Sequence, residues 1–86
     1  MIDVKQAIEA AKKQAVEFIV PAPASLRLEE IERENYQSKE AWSITFSFPD
    51  PDSIGPFSVR REYRRFLVDA ENGSFLAMKR REVAVP

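Results

Sequence analysis

The octapeptide AWSITFSF, residues 41–48, is the stretch that most limits what this chain can build. On an extended backbone Trp42, Ile44, Phe46 and Phe48 fall on one side, and Ser43, Thr45 and Ser47 on the other. Such a strand is expected to bury one face and leave the other wet, so a second layer must cover its apolar side.

That layer is encoded at the start of the chain. In residues 3–19, Val4, Ile8, Ala11, Ala15 and Phe18 or Ile19 recur at the three-to-four spacing of a helix face, with Asp3 as cap and Gln6 completing a capping box. Pro21 and Pro23 forbid continuation, because neither offers a backbone donor and each biases its predecessor toward extended geometry.

Three further strands are expected. Residues 25–33 alternate Leu26 and Leu28 against Arg27 and Glu29, and a bulge at Glu29 and Glu30 would return Ile31 to the inner face. Residues 49–56, PDPDSIGP, hold three Pro and one Gly and read as a loop. Strands at 57–69 and 74–83 then form a hairpin. A three-residue loop of Glu71, Asn72 and Gly73 would pair Val68 with Leu76 and Phe66 with Met78, gathering four apolar side chains on one face. Asp69 is placed to accept hydrogen bonds from the turn amides.

The expected fold is therefore α+β: one N-terminal helix on a four-stranded antiparallel meander, with residues 1–86 as a single domain. Eighty-six residues, 44% of them hydrophobic, suffice for one core and not for a separate catalytic lobe.

Chemistry is constrained by what is missing. The chain has no Cys, which excludes disulfides and thiolate metal sites, and no His, the usual metal ligand and proton carrier near neutral pH. Asp50 and Asp52 resemble a fragment of a calcium loop without its later ligands, and turn chemistry accounts for both. The acidic run EEIERE would be split between two faces by strand alternation, leaving no carboxylate pair for acid-base work. No catalytic residue, metal or cofactor is expected. The start, MIDVKQAIEAAKKQ, lacks an uninterrupted apolar run, so it reads as no secretory signal. Nor does any stretch read as a membrane span. A cytoplasmic setting is the expectation, or an exported one if a leader has been trimmed.

Charge is distributed unevenly. Residues 1–56 carry six Lys/Arg and ten Asp/Glu, and residues 57–86 carry seven and four. The candidate partner-binding residues are Arg60, Arg61, Tyr63, Arg64, Arg65, Lys79, Arg80 and Arg81, a basic cluster with one aromatic at the far end of the last hairpin. Tyr36 and Trp42, beside the first hairpin connection, could anchor a partner or fold over the core edge.

The order of elements, with VKQAIEAA in the helix, SLRLEEIE and AWSITFSF as an extended pair and VDAENGSFL at the last turn, resembles the PepSY domain family and its hairpin pattern V-D-A-x-T-G-x-V. The likeness spans nearly the whole chain. Asn72 stands where that pattern has Thr, and Arg64 where it favours an apolar residue. The resemblance implies a helix-on-sheet module that binds proteins without an enzymatic centre and restrains peptidases in some members. The expected function is thus a non-catalytic interaction or inhibitory module, with a homodimer through a sheet edge as one form of it. The alternative is a nucleic-acid-associated protein using the basic cluster.

Overall fold

The computed structural model describes residues 1–19, 25–49 and 61–81, with backbone alone at Arg80 and Arg81. Helix α1, Val4–Phe18, opens with the capping box expected from Asp3 and Gln6. The Gln6 amide donates to Asp3 Oδ1 at 2.8 Å, and the Asp3 amide donates to Gln6 Oε1 at 2.9 Å. The helix closes where the Ile19 amide bonds to the Ala15 carbonyl at 3.1 Å and the backbone turns extended.

The buried stripe of α1 follows the one read off the sequence at Ala11, Ala15 and Ile19, with Ile8 packed against the core, and differs at Ala7, Val4 and Phe18. Ala7, Ala11 and Ala15 are completely buried, whereas Val4 is 43% and Phe18 49% exposed. Three methyl groups spaced four residues apart line a single face and let the helix lie close to the sheet; Val4 and Phe18 project from the same face but stand at the two ends of the helix, where cover is incomplete.

Four strands form an antiparallel meander in the order β1-β2-β3-β4: β1 Arg27–Tyr36, β2 Lys39–Pro49, β3 Arg61–Asp69 and β4 Phe75–Arg81. With α1 packed on one face, the α+β class and the helix-on-sheet arrangement are as expected. The core comprises the three alanines with Ile19, Ile44, Phe46, Phe48, Phe66 and Val68; the rings of Phe46 and Phe66 meet at 6.0 Å and 58°. This helix-covered side is the inner face.

The first hairpin is longer than expected. Both of its strands run on to a two-residue turn, Gln37 and Ser38, with Tyr36 paired to Lys39. Both turn residues have positive φ, 48° and 65°, which is the left-handed pair that matches strand twist in a tight hairpin. The expected bulge is present between Leu28 and Glu30, and it returns Ile31 to a position opposite Ile44.

The last hairpin departs from expectation by one residue. Phe66 faces Met78 as expected, but Val68 faces Phe75 instead of Leu76, because β4 carries a bulge at Leu76. The loop spans 70–73: the Asp69 amide bonds to the Ser74 carbonyl and the Gly73 amide to the Asp69 carbonyl, each at 2.8 Å. Gly73 takes a φ of 78°, suited to its missing Cβ. Asp69 Oδ1 accepts from the Glu71 amide at 2.8 Å, the turn role foreseen for it. The Ile2 amide reaches the Ala70 carbonyl at 2.9 Å, and the Ala70 amide the Glu40 carbonyl at 3.0 Å, tying both hairpins to the chain start.

Pro21 and Pro23, the loop acids Asp50 and Asp52, Arg60, and the outermost expected strand residues 57–59, 82 and 83 lie outside the described residues. Among the described residues no helix is long and apolar enough to cross a membrane.

Candidate functional site

The outer face, away from α1, is where the polar side chains collect. β2 contributes Ala41, Ser43, Thr45 and Ser47 there, and the expectation that the last three would be wet is incorrect. The four exposures are 0, 5, 2 and 0%. β2 is an inner strand, and its short side chains are overtopped by longer ones in register on either side: Glu30 and Glu32 on β1, Tyr63, Arg65 and Leu67 on β3. Ser47 is bracketed most fully. Its hydroxyl donates to Glu29 Oε1 at 2.6 Å and accepts from Arg61 Nε at 3.1 Å, and Arg27 Nε reaches the same Glu29 oxygen. The Ser47 hydroxyl, and then Arg27, hold the Glu29 carboxyl below its usual range.

The acidic run is not divided between faces, contrary to expectation. Glu30, Glu32 and Glu34 stand opposite Thr45, Ser43 and Ala41, all outer positions, and Glu29 reaches outer Ser47. Alternation continued from Leu28 would have left Glu29 outward and sent Glu30, Glu32 and Glu34 inward; the bulge between Leu28 and Glu30 shifts the phase by one and gathers all four on the outer face. β1 therefore presents an acidic column on the outer face.

The basic cluster has the opposite outcome. Arg64 stands opposite Phe46 on the inner face, bound to Glu62 there, and its Nε is buried without a hydrogen-bond partner. This is the position at which the family pattern favours an apolar residue. Arg61, Tyr63 and Arg65 share the outer face, and Lys79 is in register with Arg65. Arg80 pairs with Arg64 and Arg81 with Tyr63 along the backbone. Arg65 makes no ion pair among the described residues.

Sequence reasoning missed how the two rims meet. Lys79 Nζ lies 5.3 Å from the centre of the Tyr36 ring. In a flat sheet the strands carrying them would be about 14 Å apart, and the residues would be further offset along the strands. The sheet coils strongly enough to bring this diagonal pair of corners together over the outer face. Trp42 behaves differently, packing against the core with Arg33 stacked at 4.7 Å over its ring.

Two other features complete the surface. A cleft of about 390 Å³ between the two hairpin turns is lined by residues including Lys39, Glu40, Asp69 and Glu71. Both Asp69 oxygens are engaged, one by the Glu71 amide and the other by Lys39 Nζ at 4.0 Å. Near the start of β4, half-exposed Phe18 lies against Phe75, ring centres 4.9 Å apart. Among the described residues no three acidic side chains converge in a way that could hold a metal ion.

No family model matches the chain, and neither do the curated proteins or the solved structures. The likeness to PepSY domains rests on the sequence pattern alone.

Proposed function

We propose that this chain is a non-catalytic protein-interaction module that holds an acidic partner segment along β4 and the adjoining outer face. The observation that carries the reading is the difference between the two edges of the sheet. β1 is lined by Glu29, Glu30, Glu32 and Glu34, whereas β4 ends in Lys79, Arg80 and Arg81 beside Arg61, Tyr63 and Arg65 of β3. An edge strand offers a row of backbone donors and acceptors to an extended segment, and flanking charge selects which segment docks. Arg65, without a counter-ion among the described residues, is the natural anchor for a partner carboxylate.

A phosphate backbone fits this surface less well than a peptide does. The acidic column of β1 shares the outer face with the cations, and the coil brings the two rims together at Tyr36 and Lys79. A long polyanion leaving the basic rim would meet those carboxylates. The inhibitory form of the reading, restraint of a peptidase, is supported by the PepSY resemblance alone.

The test uses an extended peptide of alternating Glu and Val, its Lys counterpart, and short single- and double-stranded DNA, titrated at low salt with backbone amide shifts as readout. Binding of the Glu peptide that perturbs β4 amides and is lost in Arg65→Glu is the expected result. No binding of the Glu peptide, or retardation of DNA with a steep salt dependence, would overturn it.

A further inference from the structure

We infer that the acidic segment that suits β4 best is the β1 edge of a second copy of this chain, joined head to tail; this deepens the reading above and rests on it. The topology allows such a junction without inverting the second copy. In a four-stranded meander β1 and β4 run in opposite directions, so a copy displaced sideways sets its β1 antiparallel to β4.

The two bulges narrow the choice of register. β1 is regularly paired from Glu30 onward and β4 from Ala77 onward. Placing Lys79 opposite Glu32 of the second copy puts Arg81 opposite Glu30 and Ala77 opposite Glu34. The overlap, 77–81 against 30–34, falls within the regular part of both strands. Face is conserved as well: Lys79 and Glu32 are both outer residues, and Met78 and Arg33 both lie on the inner side. Opposite charges thus meet on one face of a continuous sheet, an arrangement that favours the pairing.

The same charges oppose the other ways of joining two sheets. β1 against β1 would bring glutamates together, and β4 against β4 would bring lysine and arginines together. Charged edges that repel their own kind and attract each other leave a heterologous contact, which propagates unless it closes into a ring. Lys79 is exposed, so its contact with Tyr36 can be exchanged for a carboxylate at little cost.

The experiment is sedimentation equilibrium on the full chain over a concentration series, at low salt and at about 0.5 M salt, where surface charges are largely screened. The expected average mass climbs above 9.9 kDa with concentration at low salt and falls back at high salt. Glu32→Lys alone and Lys79→Glu alone each weaken association roughly tenfold, and an equimolar mixture of the two variants restores it. Both positions are exposed, and circular dichroism verifies that each variant keeps its fold. Association unchanged by either variant, or weakened by both without recovery on mixing, overturns the head-to-tail contact. A chain that stays monomeric yet binds the Glu peptide overturns self-pairing and leaves the β4 reading standing. A monomer that binds no Glu peptide removes both.

Discussion

Lys79 and Tyr36 are brought into contact across the outer face although two strands lie between them, with the ammonium 5.3 Å from the ring centre. The contact measures how far the sheet is coiled, because a flat meander would leave the two side chains far out of reach. Lys79→Ala, Tyr36→Leu and the double variant form a thermodynamic cycle. A coupling of about 0.5–1 kcal/mol is expected from urea unfolding. Additive losses would show that the rims do not meet in solution.

The first hairpin turn holds two residues, Gln37 and Ser38, at left-handed φ without the freedom of Gly or the tolerance of Asn. Replacing them with Asn and Gly keeps the turn type and removes the strain. The double substitution should stabilise the chain by about 1–2 kcal/mol, raising the melting temperature by roughly 4–8 °C per kcal/mol. An unchanged or lowered melting temperature would mean that the turn has another geometry.

Ala11 is completely buried and Val4 is 43% exposed, so the helix should respond to substitution in the reverse of what side-chain size suggests. Ala11→Leu forces α1 away from the sheet and should cost about 1–3 kcal/mol. Val4→Lys should change stability by no more than about 0.5 kcal/mol. Chemical unfolding of the two variants decides whether the middle of the helix, rather than its first turn, carries the packing on the sheet.

Ser47 stabilises the ionised form of Glu29, whose folded-state pKa lies below its ordinary value of 4.5. A depressed carboxyl pKa contributes stability that is fully present above the unfolded value and is lost as pH falls through the folded one. Ser47→Ala should therefore destabilise at pH 7, and the gap between wild type and variant should narrow below about pH 4.5. Unfolding midpoints at pH 7 and pH 3 provide the measurement; a gap independent of pH would assign the loss to packing alone.

Much of the architecture was legible in local pattern. The capping box, the bulge before Ile31, the turn role of Asp69 and the meander all follow from side-chain periodicity and backbone chemistry within short windows. The misreadings came from contacts between windows. Val4 shares the face of Ala7, Ala11 and Ala15, and its exposure comes from its place in the first turn of α1, which periodicity does not record. Leu76 and Phe75 compete for the place opposite Val68, and Phe75 also gains the ring of Phe18. For the candidate site, pairing of Lys79 with Arg65 and of Arg80 with Arg64 was readable from the hairpin register. The inner position of Arg64 followed from the same parity. The meeting of Lys79 with Tyr36 was not readable, because coil accumulates over four strands and has no signature in any one of them.

The burial of Ser43, Thr45 and Ser47 gives β2 two interiors, one greasy and one made of hydroxyls. Saturation mutagenesis read out by cellular abundance would therefore find no every-other-residue rhythm of tolerance across 41–48. The strand would instead form an unbroken intolerant band: bulky replacements fail at the serines for want of room, and polar replacements fail at Ile44, Phe46 and Phe48 for want of water. A hydropathy profile would mistake half of that band for surface.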